Sequence, residues 1–192
     1  MKTIKNKVIA SIFLCMAIIL ITGCGNNVAK NNDDSKETVQ KSKGKCDVFS
    51  CIKKIDADDT VEEMNKIIGF EGELTEDKET YKVYSWDLTD DTSITSQFHL
   101  NNNTATITAN YPNSLITKKA DFSKWDEIKA KLNNRETVTY DEFVKLVGGV
   151  EGAMQQKTSR SISYKWLNAN GGYLSAYFDI DSKKCTMATG RF

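Results

Sequence analysis

The sequence predicts an α+β fold built as a tandem repeat, in which each copy has a helix–loop–helix and then a three-stranded antiparallel sheet, with the helices packed on one sheet face. The chain is similar to itself at a fixed offset: Tyr-Ser-Trp at 84–86 matches Tyr-Lys-Trp at 164–166, and Phe-His-Leu at 98–100 matches Phe-Asp-Ile at 178–180. Helical and strand periodicity also follow each other in the same order twice. The copies are assigned to residues 46–111 and 112–192.

Two helices are predicted in each copy, and each has its own signal. The first has apolar residues at helical spacing, which are Val48, Phe49, Ile52 and Ile55 in the first copy and Trp125, Ile128 and Leu132 in the second. The second opens with a capping box, in which a threonine hydroxyl and a glutamate carboxylate satisfy free backbone donors of the first turn. A glycine then ends it. These residues are Thr60, Glu63 and Gly69 in the first copy and Thr139, Glu142 and Gly148 in the second.

Three strands are predicted in each copy from alternating apolar and polar residues. Their ranges are 81–88, 93–101 and 104–110, and then 161–168, 172–180 and 184–190. Because successive side chains on a strand point to opposite faces, alternation assigns each residue to the helix side or to an open face. The helix side is predicted to hold Tyr84, Trp86, Phe98, Leu100, Ile107, Ala109, Tyr164, Trp166, Phe178, Ile180, Cys185 and Met187. The open face is predicted to hold Ser85, Thr95, Gln97, His99, Thr104, Thr106, Thr108, Lys165, Tyr173, Ser175 and Tyr177.

The N-terminus resembles a bacterial lipoprotein signal. Three lysines precede an apolar run over residues 8–21, which is the order of a secretory signal. That run is shorter than the roughly 20 residues that a membrane-spanning helix needs. Small residues then lead directly into Cys24, as in the lipobox. The resemblance implies a signal peptide at 1–23, a diacylglycerol bound covalently to Cys24, no other cofactor, and an anchor on the extracytoplasmic face of the cell membrane. The alternative is an ordinary signal peptide with a chance cysteine.

Residues 24–45 are predicted to be a flexible tether, because residues 25–45 are mostly polar, contain no aromatic residue and cannot bury enough apolar surface to fold. Removal of the three signal lysines leaves 23 basic and 26 acidic residues in the mature chain, a net charge of −3. This charge argues against nucleic acid as a partner, since nucleic-acid binding favours a basic face.

Three cysteines remain in the predicted domain, Cys46, Cys51 and Cys185. An extracytoplasmic compartment permits a disulfide. Five residues of unbroken helix would separate Cys46 from Cys51 by about 7.5 Å of rise, which is too far for a bond. A Cys46–Cys51 disulfide therefore requires that Cys46 precede the helix, with Asp47 as the N-cap. The alternative is that all three thiols are reduced and Cys185 is a small core residue.

The sequence predicts a protein that is not an enzyme and has no metal site. His99 is the only histidine, and it falls on the open face while Cys185 points to the helices. A nucleophile and its base must lie within hydrogen-bonding reach, which these two residues would not. No pair of close Cys or His ligands occurs beyond Cys46 and Cys51.

The duplicated helix–loop–helix–sheet unit on a secreted chain resembles the β-lactamase inhibitor protein family. Each copy is also similar to the small outer-membrane assembly lipoproteins, which carry a Trp-x-Tyr strand and a Phe-Asp hairpin. The order here is Tyr-x-Trp at 84–86 and 164–166, with Phe-Asp at 178–179. In the inhibitor family, an acidic side chain on a first-copy hairpin enters the active site of a serine β-lactamase. Asp90 and Asp91 occupy a comparable hairpin in this chain.

The function predicted from these features is that of a membrane-anchored binding module without catalytic activity. Its partners would be the lipid bilayer, through the anchor, and a protein or cell-envelope polymer on the open face. One alternative is an inhibitor of a serine β-lactamase or penicillin-binding protein, and another is a structural lipoprotein of envelope assembly. The candidate binding residues are Asp90, Asp91, Gln97, His99, Lys165, Tyr173 and Tyr177.

Overall fold

The computed structural model describes residues 43–192 of the chain, so the predicted signal, Cys24 and most of the predicted tether lie outside the described residues. Two helices and four strands come first: α1 Val48–Lys54, α2 Val61–Ile68, β1 Glu73–Asp77, β2 Tyr81–Thr89, β3 Thr92–His99 and β4 Thr104–Asn110. Two helices and four strands follow: α3 Trp125–Asn133, α4 Tyr140–Leu146, β5 Ala153–Lys157, β6 Ser161–Leu167, β7 Tyr173–Asp179 and β8 Cys185–Arg191.

The predicted tandem repeat of units with separate three-stranded sheets is wrong. All eight strands form one open antiparallel sheet in the order β1 to β8. The prediction missed β1 and β5, because neither strand alternates between apolar and polar residues. Each has a single large apolar side chain, Leu74 and Met154 respectively. Since β5 pairs with both β4 and β6, it joins what the sequence suggested were two sheets.

The junction between β4 and β5 is narrow. Only Ile107 with Lys157 and Thr108 with Gln156 are in register there, whereas β3 and β4 are paired over seven positions. Contacts from the helix side reinforce this junction, because α1 packs against β3, β4 and β5. The Lys157 ammonium donates to the Ile55 carbonyl over 2.8 Å and to Asp56 Oδ1 over 2.5 Å. Both contacts link β5 to the end of α1.

The sequence signals at the helix ends are largely confirmed. Asp47 is the N-cap of α1 and accepts from two backbone N–H groups of the first turn. Thr60 and Glu63 form the complete capping box of α2, and the donors of Thr60 lower the pKa of the Glu63 carboxyl. Thr139 caps α4 by accepting from the Glu142 N–H. Gly69 ends α2 with φ of 105°, a conformation that favours glycine.

Two apolar clusters lie between the helices and the sheet. The first is built around Trp86, with residues of α1 and α2 on one side and residues of β2 to β5 on the other. The second is built around Trp166 and includes Phe143 of α4. Both indoles are almost completely buried, with 0% and 1% of their surface exposed. Their predicted position on the helix side is therefore confirmed.

Two of the residues predicted to face the helices are exposed instead. Phe178 is in register with Cys185 and Tyr177 with Met187, so an irregularity at Thr186 shifts the alternation of β8 by one residue. Met187 consequently lies on the open face and is 49% exposed. Leu100 lies in the turn after β3 and is 46% exposed. Alternation cannot locate such a bulge or the end of a strand.

Residues 43–45, which fall inside the predicted tether, contact the folded domain. The Lys43 N–H donates to the Leu88 carbonyl over 2.9 Å, and the Lys45 N–H donates to the Ile68 carbonyl over 2.7 Å. A Cβ on Gly44 would lie 2.8 Å from the Ile68 carbonyl oxygen. The chain therefore runs close along the end of α2 before α1 begins.

We expect Ser96→Ala to raise the free energy of unfolding by about 1 kcal/mol. Ser96 lies on the helix side of β3 with 0% of its surface exposed, and within residues 43–192 its hydroxyl has no hydrogen-bond partner. A buried hydroxyl without a partner loses hydration and gains nothing in return. The matching position in the second half of the chain is Ala176, which is equally buried.

Equilibrium unfolding in urea measures this effect, and the reciprocal variant Ala176→Ser is the matched control. We expect Ala176→Ser to lower the free energy of unfolding, since it introduces the same unpaired hydroxyl into the second cluster. A loss of stability in Ser96→Ala would contradict the prediction, because it would mean that the hydroxyl makes a stabilising hydrogen bond.

Candidate functional site

The face of the sheet opposite the two apolar clusters carries a continuous row of uncharged polar side chains. Adjacent members are in register from β2 to β7, so each one lies beside the next across the sheet. Five steps between neighbouring strands give a length of about 24 Å. We call this row the polar strip. Its residues are Ser85, Thr95, Thr108, Gln156, Ser163 and Tyr177.

A groove of about 410 Å³ opens on this face where β4 meets β5. The register of β5 shifts between Met154 and Gln156, as in a β-bulge, which alters the alternation of side chains. The side chains of Gln155 and Gln156 therefore both line the groove. Gln155 Oε1 accepts from the Ser175 hydroxyl over 3.4 Å. Its lining contains no charged side chain and consists of Thr108, Ala109, Asn110, Tyr111, Gln155, Gln156, Ser163 and Tyr177.

Some polar side chains of the groove make hydrogen bonds to other protein groups, and others make none. The Tyr111 hydroxyl donates to the Ala153 carbonyl over 3.4 Å, and burial raises its pKa well above the usual value. The side-chain amide of Asn110 donates to the Ser93 hydroxyl over 3.1 Å. Within residues 43–192, no protein hydrogen bond involves the side chains of Thr108, Gln156, Ser163 and Tyr177.

The structure separates the predicted open-face residues into two groups. Gln97 and His99 lie on β3, where His99 Nε2 is 3.3 Å from the Thr106 hydroxyl. Lys165 and Tyr173 lie on β6 and β7, with the Lys165 ammonium 5.7 Å from the centroid of the Tyr173 ring. Four strand steps, or about 19 Å, separate β3 from β7. Of the seven candidate binding residues, only Tyr177 lines the groove.

Asp90 and Asp91 form the turn between β2 and β3, and both are exposed. This turn is at the opposite end of β3 from His99, and neither aspartate lines the groove. The Asp91 N–H donates to the Thr89 hydroxyl over 3.3 Å, which holds the turn in place. The suggestion that these carboxylates enter an enzyme's active site stays a prediction.

The polar groove residues that were not assigned to the open face from sequence are Asn110, Tyr111, Gln155, Gln156 and Ser163. Gln155 and Gln156 lie on β5, and a segment that is not recognised as a strand cannot be assigned to a face. Thr108 was correctly placed on the open face, but nothing in its surroundings distinguished it from the other threonines of β4. The pairing of β4 with β5, which creates the groove, was the missing information.

Cys46 and Cys51 are joined by a disulfide with a Cα–Cα distance of 5.5 Å. Cys46 precedes α1 and Cys51 lies within it, which is the arrangement that the bond requires. Cys185 is a free, half-buried thiol, and burial raises its pKa to about 11. It pairs with Phe178 on the helix side, whereas His99 lies on the open face, so these two side chains do not form a nucleophile–base pair.

A second cavity, of about 300 Å³, lies on the helix side next to the start of α4. The rings of Tyr140, Tyr164 and Phe178 line it and pack against one another, with centroids 4.6–5.9 Å apart. Burial raises the pKa of the Tyr140 hydroxyl to about 12, so this hydroxyl is neutral at physiological pH. The cavity is a largely aromatic recess next to the second cluster, and its lining also includes the charged residues Asp141, Asp179 and Lys183.

No group of three or more His, Cys, Asp or Glu side chains in residues 43–192 is arranged to hold a metal ion. The same part of the chain contains no helix that is long and apolar enough to span a membrane. Comparisons with protein-family models, with curated proteins and with solved structures found no match to this chain.

Proposed function

We propose that this protein is a lipid-anchored, extracytoplasmic binding protein that holds its partner on the open face of the sheet and performs no chemical reaction. One observation carries the proposal. The polar strip crosses six strands, the groove on it is lined by no charged side chain, and several of the polar side chains in the groove make no hydrogen bond to other protein groups. Polar groups that converge on a groove are what fixes the orientation of a bound molecule.

The anchor is supported by the sequence of residues 1–24. A basic segment, a short apolar run and a cysteine after small residues follow one another there. A diacylated N-terminus would hold the protein at the membrane surface, because two acyl chains anchor stably while one chain alone binds only marginally. The polar residues that follow give the domain reach from the bilayer.

We expect Cys24→Ala to abolish incorporation of labelled palmitate and to leave the protein either released or with an uncleaved signal. The reason is that the thiol of this residue would be the site of the thioether bond. Metabolic labelling and membrane fractionation measure both effects, and Cys15→Ala, which changes a cysteine inside the apolar run, is the matched control. Palmitate labelling of the Cys24→Ala protein at the wild-type level would refute the anchor.

We expect Thr108→Arg to reduce retention of the protein on isolated cell-envelope fragments by about tenfold or more, which corresponds to about 1.4 kcal/mol. Thr108 is the half-buried centre of the polar strip, and an arginine there would fill the groove and introduce a charge without a counter-charge. The measurement is co-sedimentation of the detergent-solubilised full chain with the fragments.

Thr137→Arg is the control for this experiment, since it adds the same side chain at an exposed position between α3 and α4. It should retain wild-type binding. Melting temperatures of both variants show whether the folded domain is intact. Equal retention of wild type and a folded Thr108→Arg protein would refute the open face as the binding surface.

A further inference from the structure

We infer that the groove at the β4–β5 junction binds a neutral glycan chain. This inference rests on the proposed function, since it names the class of partner that the open face would hold. It follows from three properties of the groove, which are its lack of charge, its unused hydrogen-bonding groups and its position on the face of a sheet rather than at an edge.

The absence of charge in the groove lining disfavours ionic partners. None of its lining residues is charged. The Lys157 ammonium binds Ile55 and Asp56 on the helix side. Lys165 is on the open face but outside the groove lining, and its ammonium donates to the neutral Asn113 Oδ1 over 2.8 Å. A charged group inside the groove would lose hydration without meeting a counter-charge among the lining residues, which is unfavourable.

The unused groups of the groove match a ligand that is rich in hydroxyls. Side-chain hydroxyls and amides can both donate and accept hydrogen bonds. Three half-buried side chains of this kind, those of Thr108, Gln156 and Tyr177, converge there without protein hydrogen-bond partners in residues 43–192. Ser163 also lines the groove but is only 3% exposed. Sugar hydroxyls have the same dual character. The Tyr177 ring adds an apolar surface beside a polar tip, which suits the apolar C–H face of a pyranose ring.

The position of the groove disfavours an extended peptide. A peptide that binds by strand addition uses the free backbone groups of a sheet edge. The groove lies over β4, β5, β6 and β7, which are all inner strands of the sheet. Although β4 and β5 are in register at only two residue pairs, a ligand on this face meets mainly side chains. The polar strip continues beyond the groove in one direction, through Thr95 of β3 and Ser85 of β2, so a linear chain of sugars can extend about 10 Å further across these strands.

The test uses isothermal titration of the detergent-solubilised full chain with two neutral probes, β-linked oligosaccharides of N-acetylglucosamine and of glucose. A neutral peptide rich in serine and asparagine is the competing class. We expect at least one oligosaccharide to bind with a dissociation constant below about 1 mM. Gln156→Ala and Tyr177→Ala should each weaken that binding by about tenfold.

Matched controls lie away from the open face. Asn133→Ala removes an exposed amide at the end of α3, and Phe192→Ala removes a ring that is 60% exposed on the helix side. Both should bind the oligosaccharide as tightly as wild type. Melting temperatures identify any variant that fails to fold, and Tyr177→Phe, which keeps the ring, separates the loss of the hydroxyl from a packing defect.

Three results would overturn the glycan inference, and each is distinguishable from failure of the proposed function. No binding of either oligosaccharide overturns it, as does preferential binding of the peptide. Equal binding by the groove variants and their controls also overturns it, since the sugar would then sit elsewhere. Any of these results together with loss of envelope retention in Thr108→Arg leaves the open-face function standing. Retention that is indifferent to Thr108→Arg, together with absent oligosaccharide binding, overturns both.

Discussion

Replacement of Trp86 with alanine is expected to lower the free energy of unfolding by about 3–5 kcal/mol, the range for removal of a fully buried large aromatic side chain. None of its surface is exposed, and it is central to the first apolar cluster. The backbone of Gly72 lies so close to the indole that an added Cβ would overlap the ring. The surrounding structure is therefore closely fitted to the ring and would leave a cavity in its absence.

Equilibrium unfolding followed by circular dichroism measures this loss. Trp166→Ala should have a similar effect, because that indole is 1% exposed and lies against Gly152, where a Cβ would be 2.6 Å from the ring. Tyr173→Ala removes a ring that is 39% exposed, and it should cost less than about 1 kcal/mol. If both tryptophan variants unfold at the same urea concentration as wild type, the assignment of the two sheet faces is inverted.

Replacement of Asn65 with alanine is expected to cost about 2–3 kcal/mol, since a buried donor that loses its partner costs about 1–3 kcal/mol. Asn65 Oδ1 accepts from Trp86 Nε1 over 2.7 Å and from the Gly72 N–H over 3.0 Å. The truncation leaves both donors without that acceptor. This single amide oxygen fixes the indole and the start of the loop into β1.

The two halves of the chain provide the control for this effect. In the second half, Trp166 Nε1 donates to the Val150 backbone carbonyl over 2.8 Å, so no side chain is needed as acceptor. Val144 is the residue that matches Asn65 in the sequence. Val144→Ala should therefore cost less than Asn65→Ala, while Asn65→Asp keeps an acceptor and should recover part of the loss. Equal effects of Asn65→Ala and Asn65→Asp would contradict the role of the oxygen.

Alternation and capping signals were sufficient to predict six of the eight strands and the start of α2 from the sequence. They succeeded because Trp86, Phe98 and Ile107 alternate with polar residues on strands that are covered on one side only. They failed for β1, an edge strand with four charged or polar residues in five, and for β5, which lies across a narrow junction. The pairing of β4 with β5, which are far apart in the sequence, joins the strands into one sheet. Local periodicity contains no information about such long-range pairing.

The same limits explain what could be predicted of the candidate site. The open face was identified because its residues have one parity on recognised strands, and Thr108, Tyr177 and Gln97 were placed on it correctly. The groove itself depends on the β-bulge around Gln155 and on the register of Thr108 with Gln156. A bulge shifts alternation locally, and its position depends on tertiary contacts as well as on residue type. The candidate binding residues predicted from the sequence are therefore spread along the open face and the β2–β3 turn instead of being clustered in the groove.

A chain that is still being synthesised cannot complete its first apolar cluster from its first half alone. That cluster includes Met154 of β5, and Ile162 and Tyr164 of β6 pack against it. The end of α1 likewise acquires its lysine contacts only when Lys157 is present. The hairpins of β2, β3 and β4 can form early, since they are local in sequence. We expect the nascent first half to remain incompletely packed until about 50 further residues have left the ribosome, so that both halves reach their final stability together.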